Sequence, residues 1–417
     1  MDLEAKIARS IKEDLADSSD FDRYFTFEHY LGKDSDGEVS AFLHRPSKRL
    51  IAVNAPRADR ISASVNICRE AKALKAISIY GKHENINHMI SYQLAYGVTL
   101  YPAIILEYAQ FGSLLDYRTA WREQGLNKAL SDIPEPTVWK LFKDMTLALD
   151  FLHNKCGLVH RDVKTENILV TRSPTDYGSV IPKIPAFKLA DFSRALAYPS
   201  IDNKIYEWAG SAGFAPPLAE RQLGEPARAA GDMWSLGATL QEFAVGVIPC
   251  QSRKAFVEQM EKCQESHPKL EDHEEVWKKH EWKLCAGCRP LKLQATMLVK
   301  HCGLAGPLVK DYQPFSDVLN EWYRKLWIIA TESRATSASL VKGLIPFIDC
   351  YIGVVKKPET HRTNNMLDML SQVARPQAPT PRRMAGLRTP HGSDYRPTYE
   401  GNDYAVLSSQ LRLRELD

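Results

Sequence analysis

The stretch LVHRDVKTENILV, from Leu158 to Val170, limits what this chain can fold into more than any other. Two apolar runs, Leu158-Val159 and Ile168-Leu169-Val170, flank a polar loop holding His160, Arg161, Asp162, Lys164 and Asn167. The runs read as buried strand ends and the polar cluster as a loop held on a rigid scaffold. An acid, a base and an amide this close together suit phosphoryl transfer. Asp162 can accept a hydroxyl proton, Lys164 can neutralise a moving phosphoryl group, and Asn167 can hold a metal ion. The competing reading is an ordinary polar loop, against which stands H-R-D-x-K-x-x-N, five fixed positions in a row of eight.

Composition sets the frame for that loop. The 417 residues are enough for about two to three domain-sized units. Hydrophobic residues make up 44% and charged residues 25%, as in an ordinary globular protein. No apolar run approaches the roughly 20 residues that span a bilayer. The start, MDLEAKIARSIKEDLADSSD, is acidic without an apolar core, unlike a secretory signal. Eight scattered cysteines then suggest reduced thiols and a soluble protein of the cytosol or nucleus. A net charge of +3 gives no reason to expect a nucleic-acid partner.

The loop resembles the catalytic loop of eukaryotic protein kinases, in the lysine form usual in their serine/threonine branch. The rest of the chain presents similar motifs in kinase order. Residues 25–43 read as strand, glycine turn, strand. Gly32 and Gly37 match the first and third glycines of the kinase phosphate-covering hairpin, with Asp34 where the second belongs. The strand Leu50-Ile51-Ala52-Val53-Asn54 looks like kinase V-A-I-K, placing Ala52 against adenine and Asn54 where the lysine belongs. In ISASVNICREAKALKAI, Ile67, Glu70 and Leu74 share an inward helical stripe, so Glu70 matches the glutamate that normally pairs with that lysine. Lys33 and Lys48 are the substitute partners nearest in sequence. Residues 103–109 look like a core strand running into the hinge. There the resemblance makes Leu106 the gatekeeper and, with Val39, Glu107, Ala109 and Leu169, part of an ATP site.

Beyond the catalytic loop, Asp191-Phe192-Ser193 looks like kinase D-F-G, which makes Asp191 a Mg²⁺ ligand alongside Asn167. Gly210 to Phe214 resembles G-T-x-x-Y at the end of an activation segment. The A-P-E that should follow reads Pro216-Pro217-Leu218, leaving Arg334 without its usual glutamate unless Glu220 substitutes. Asp232 to Gly237 matches D-x-W-S-x-G, where the aspartate holds the catalytic loop's backbone. Arg161 is available to bind an activation-segment phosphate. Cys285 and Cys288 form one CxxC, half a zinc site at best.

The resemblance implies an α+β, two-lobed kinase-like fold. It is divided into an extension (1–23), an N-lobe (24–110), a C-lobe (111–355) with an insertion near 250–325, and a basic Pro/Arg-rich tail (356–417). Residues 1–20 read as a short surface helix and acidic linker. Function divides into two readings. The first is an ATP- and Mg²⁺-dependent serine/threonine protein kinase acting on protein substrates. The second is a pseudokinase scaffold that regulates a partner protein, motivated by Asn54 and Asp34. Neither reading calls for nucleic acid or membrane as a partner.

Overall fold

In the computed structural model the described residues are 3–16, 21–33, 37–57, 61–93, 102–124, 133–173, 180–198, 208–217, 220–221, 228–246, 291 and 315–355. Contact clustering divides the chain into two units, and all of these residues fall in the first, Met1–Cys250 with Leu284–Lys356. Asp34, the CxxC and residues 356–417 lie outside the described residues, as does nearly all of 250–325.

The N-lobe is a five-stranded antiparallel sheet in the order β1-β2-β3-β5-β4. Its strands are β1 (Phe25–Lys33), β2 (Gly37–His44), β3 (Arg49–Pro56), β4 (Met89–Gln93) and β5 (Ala103–Glu107). Because side chains alternate along a strand, β3 sends Ile51 and Val53 to one face and Ala52 and Asn54 to the other. Ala52 pairs with Leu106, and Asn54 with Ile104, in the β3–β5 ladder. Strand β1 is less regular. Its register is regular from Phe25 to Phe27 and shifts at Phe27/His29 and Tyr30/Gly32, and Phe27 is 48% exposed although it shares a face with the buried Phe25.

Two helices precede the sheet, α1 (Leu3–Ala16) and α2 (Phe21–Tyr24). The expected surface helix is partly core. Ile11 and Leu15 are buried with Phe21, Phe25, Ile51, Val53, Ala103 and Ile105 on the sheet face that points away from Ala52 and Asn54. His44, fully buried, has Nε2 2.8 Å from Asp14 Oδ2, and Gln93 Nε2 donates to the Leu15 carbonyl at 2.9 Å. On the opposite side α3 (Ile61–Ser78) follows β3 and buries Ile67, Glu70 and Leu74 on one stripe.

The C-lobe is mainly helical. Helix α4 (Leu114–Gln124) is followed by α5 (Glu135–Asp150), which buries Val138, Phe142, Met145 and Leu149 and continues into a π turn at Phe151–Lys155. Two short pairs of strands come next: β6 (Leu158–Val159) with β9 (Leu196–Ala197), and β7 (Ile168–Thr171) with β8 (Ala186–Leu189). Helix α6 (Ala229–Val245) is buried from Gly231 to Val245 and ends at Gly246, whose φ of 80° closes the helix in the left-handed region. Helices α7 (Asp317–Arg324) and α8 (Ser337–Val355) follow, with the Trp139 ring of α5 tilted against Phe347 of α8 at 5.4 Å between centroids. Of the β7–β8 connection, the described Ile181 and Pro182 are buried, and Tyr117 Oη donates to the Pro182 carbonyl at 2.7 Å. The architecture is the expected α+β, two-lobed one.

Candidate active site

The catalytic-loop stretch runs from β6 through a 3₁₀ turn at Thr165–Asn167 into β7. Its backbone hangs on one carboxylate of α6. Asp232 Oδ2 accepts from the His160 amide and Oδ1 from the Arg161 amide, each at 2.7 Å, while His153 Nε2 lies 2.9 Å away. Burial pushes the Asp232 carboxyl up, but His153, His160 and these hydrogen bonds outweigh it and hold it below the usual range. The anchor makes room for strain, because Arg161 sits at φ 68° and Asp191 at φ 58°. Side chains with a Cβ hold such angles only where the surroundings enforce them.

Asp162 stands in the middle of a cluster of donors. Oδ1 accepts from both the amide and the hydroxyl of Ser211 at 2.8 Å. Oδ2 faces Asn167 Nδ2 at 3.3 Å, Lys164 Nζ at 3.2 Å and Arg194 Nε at 3.6 Å. Lys164 also donates to Ser211 Oγ at 3.0 Å, closing a triangle of acid, base and hydroxyl. Burial raises the Asp162 carboxyl, yet Lys164 and the Ser211 hydrogen bonds prevail, and it stays ionised below the ordinary carboxylate range. Burial pulls the Arg161 guanidinium down to about 10, with Asp232 opposing. Arg161 Nε donates to the Arg194 carbonyl at 2.6 Å, which fixes the start of the following segment.

The oxygen ligands a hard divalent cation requires are available beside this cluster. Asn167 uses Nδ2 on the Asp162 carbonyl at 2.9 Å, which turns its Oδ1 away. Asp191 Oδ1 takes the Ser193 amide and hydroxyl at 3.2 and 2.6 Å. Among the described residues no donor is hydrogen-bonded to Asn167 Oδ1 or Asp191 Oδ2, so one amide and one carboxylate oxygen remain, a donor set that fits Mg²⁺ shared with phosphates. Among the described residues no group of three or more His, Cys, Asp or Glu could hold a metal alone.

The residues expected to enclose a nucleotide gather on the Ala52 face of the sheet. Ala52, Leu106 and Ala109 are buried, and Val39 and Leu169 are partly so. Among the described residues the Ala109 amide is in no hydrogen bond, as a hinge donor to a flat heterocycle would be. The Glu107 side chain is taken up elsewhere, by Lys188 Nζ at 2.8 Å and the His88 amide at 2.9 Å. Gly32 has open space around it, whereas a Cβ on Gly37 would overlap Asn54 Oδ1. Val39 pairs with Asn54 across β2–β3.

Asn54 does reach Glu70, donating from Nδ2 to Oε2 at 3.2 Å, and the Phe192 amide approaches Glu70 Oε1 at 3.3 Å. The link of strand to helix is therefore kept, but by a neutral amide. Asn54 Oδ1 is buried without a hydrogen-bond partner. Neither suggested lysine takes part: Lys33 pairs with Glu38, and Lys48 occupies the turn after His44. Glu220, by contrast, does meet Arg334, at 2.6 and 3.0 Å.

Two members of the site were not singled out as such from sequence. Ser211 is legible in sequence as the residue after glycine in the G-T-x-x-Y likeness and, with Ser193, Ser200 and Tyr206, as a possible phosphate acceptor of the activation segment. Arg194 carried no signal, since its position after D-F-S belongs to no motif.

The sheet, the loop hung on α6 and the cluster around Asp162 define a phosphotransferase-type site in a two-lobed scaffold. Residues 25–343 match the protein kinase domain, well over half of the chain, and the chain belongs to that family. It is similar to dual specificity mitogen-activated protein kinase kinase 1 of Dictyostelium discoideum, 29% identical over 52% of this chain and 29% of the relative. Human NUAK family SNF1-like kinase 1 is 29% identical over 54% of this chain and 30% of the relative. Dual specificity mitogen-activated protein kinase kinase sek-1 of Caenorhabditis elegans is 30% identical over 58% of this chain and 65% of the relative. The chain thus spans about a third of the first two relatives and under two thirds of the last.

Proposed function

We propose that this chain is an ATP- and Mg²⁺-dependent protein kinase that phosphorylates serine or threonine hydroxyls of other proteins. The observation that carries this reading is the ionised Asp162 with Lys164, Asn167 and Ser211 gathered on it and its loop hung from Asp232. ATP with Mg²⁺ supplies the phosphoryl group and a leaving diphosphate. The chain's own residues do the rest. Asp162 orients the acceptor hydroxyl and takes its proton, and Lys164 faces the phosphoryl oxygens. Asn167 and Asp191 hold the cation, and Arg161 fixes the loop. Ala52, Leu106, Ala109, Val39 and Leu169 enclose the base, with Gly32 and Gly37 over the phosphates. In this reading residues 24–110 and 111–355 form the two lobes. The thiol content fits the cytosol or nucleus, and no helix among the described residues is long and apolar enough to cross a membrane.

The neutral Asn54 favours a second reading, a scaffold that regulates a partner without transferring phosphate. Mg²⁺-dependent transfer from ATP to a generic basic protein, run beside Asp162→Asn, separates the two. Transfer that vanishes in the variant supports the kinase. No transfer by the wild-type protein defeats it and leaves the scaffold.

A further inference from the structure

Asp162 is crowded with donors, and Arg194 stands just outside hydrogen-bond distance of it. A carboxylate offers about four lone-pair sites. The Ser211 amide and hydroxyl take Oδ1, while Asn167, Lys164 and Arg194 converge on Oδ2. An acceptor hydroxyl must reach Oδ2 as well, and the neighbour held most loosely there is the one it would displace. Asn167 is tied to the Asp162 carbonyl and Lys164 to Ser211. Arg194 makes the longest contact, 3.6 Å, and its side chain is 41% exposed. Among the described residues its other side-chain contact is from Nη1 to the Ala209 carbonyl. Its own carbonyl is fixed by Arg161 Nε at 2.6 Å, so the backbone stays while the guanidinium turns by giving up the Ala209 carbonyl.

The same site is short of a charge on the nucleotide side, where Asn54 is neutral. A guanidinium presents a planar fork of donors that matches phosphoryl oxygens. We propose that Arg194 is a catalytic cation: the acceptor hydroxyl displaces it from Asp162, and its guanidinium turns onto the transferring phosphoryl group. The inference rests on the kinase reading. In the transfer the acceptor oxygen bonds to the γ-phosphorus and its proton passes to Asp162. The bond from phosphorus to the leaving diphosphate breaks with its electron pair on that oxygen, and Arg194 and Lys164 keep their protons. Charge is thus supplied from the acceptor side of the cleft instead of from β3.

The test compares wild type, Arg194→Gln, Arg194→Lys and Asp162→Asn in the full chain, with two readouts. The first is phosphate transfer to a basic protein. The second is calorimetric affinity for ADP–Mg²⁺ with and without aluminium fluoride, a mimic of the transferring group, with the basic acceptor protein present throughout. Arg194→Gln should lower kcat roughly 10²-fold, the scale for losing one preorganised charge, with KM for ATP nearly unchanged. Arg194→Lys should recover part of the loss. The tightening that fluoride gives should fall by a similar factor in Arg194→Gln, with affinity for ADP alone unaltered. Unchanged kcat and unchanged tightening would overturn the proposal. So would a rise in kcat, which would make Arg194 a block on Asp162 instead. If the wild-type protein transfers nothing, the kinase reading fails on its own account and the fluoride arm decides. Tightening lost in Arg194→Gln upholds the charge on the phosphoryl site, and equal or absent tightening in both proteins rejects it.

Discussion

Both carboxylate oxygens of Glu220 accept from the Arg334 guanidinium, at 3.0 Å from Nη1 and 2.6 Å from Nη2. The Arg334 side chain is fully buried, its remaining donors go to the carbonyls of Ala230, Ile328 and Ile329, and its guanidinium lies 5.1 Å from the Trp234 ring. A glutamate at position 218 is missing, and one two residues later has taken its place. Breaking a buried pair strands the surviving charge and costs about 3–5 kcal/mol. Arg334→Ala should therefore lower unfolding free energy by about that much in urea titrations, and an Arg334→Met, Glu220→Gln double variant should lose less than the two single changes summed.

Ser211 sets the protonation of Asp162. Its hydroxyl and amide both donate to Oδ1, and they help Lys164 offset the burial that would raise the carboxyl. Removing the hydroxyl leaves burial less opposed, so the Asp162 pKa should rise. The acid limb of kcat/KM should then lie below the ordinary carboxylate range in the wild-type protein and move to higher pH in Ser211→Ala. A limb that stays put in the variant would mean that Ser211 does not govern the ionisation.

Gly37 and Asn54 share one space. A Cβ at Gly37 would overlap Asn54 Oδ1, so Gly37→Ala should displace the amide and weaken its 3.2 Å contact with Glu70. Nucleotide affinity, measured with a fluorescent ATP analogue, should fall. Asn54→Lys should raise it, because a cation returns beside Glu70. Roughly 10-fold is expected, from about 1.4 kcal/mol of a charge-assisted contact.

His88 predicts a pH dependence of stability. Burial pulls its pKa down to about 4, with Glu107 opposing and Lys82 and Lys188 assisting, and its Nε2 is buried without a partner. The folded value lies below the unfolded one of about 6.5, so the unfolded chain binds more protons between the two. Stability contributed by neutral His88 is present above pH 6.5 and is lost as pH falls towards 4. Thermal melts of His88→Phe should show a smaller drop across that window than those of the wild-type protein.

What sequence revealed, and what it hid, follows from how local each signal is. The loop from His160 to Asn167, the inward stripe of Glu70 and the anchor Asp232 are all set by spacing within one element, and the structure places each on that element. Asn54 to Glu70, Arg334 to Glu220 and Arg194 to Asp162 are contacts across 16, 114 and 32 positions of chain. No periodicity encodes contacts of that range, and only the gap in the A-P-E likeness points to Glu220 as the partner of Arg334. For Asn54 the sequence showed the lost charge but not the amide that still reaches Glu70. Strand β1 is legible as a strand, but its register shifts depend on the partner strand and leave no mark in its own sequence.

The family likeness begins at residue 25, and a shortened chain would naturally be cut there. The sheet does not end there, because Ile11, Leu15 and Phe21 lie over Phe25, Ile51, Val53 and Ile105. Each such apolar side chain, once uncovered, forfeits about 1.5–3 kcal/mol of burial. Such a cut would also leave His44 without Asp14 and bare an oily patch on the side of the lobe away from the chemistry. A chain starting at Phe25 would retain every residue of the site and still tend to clump. The span shared with relatives is shorter than the span this molecule needs to remain a solution species.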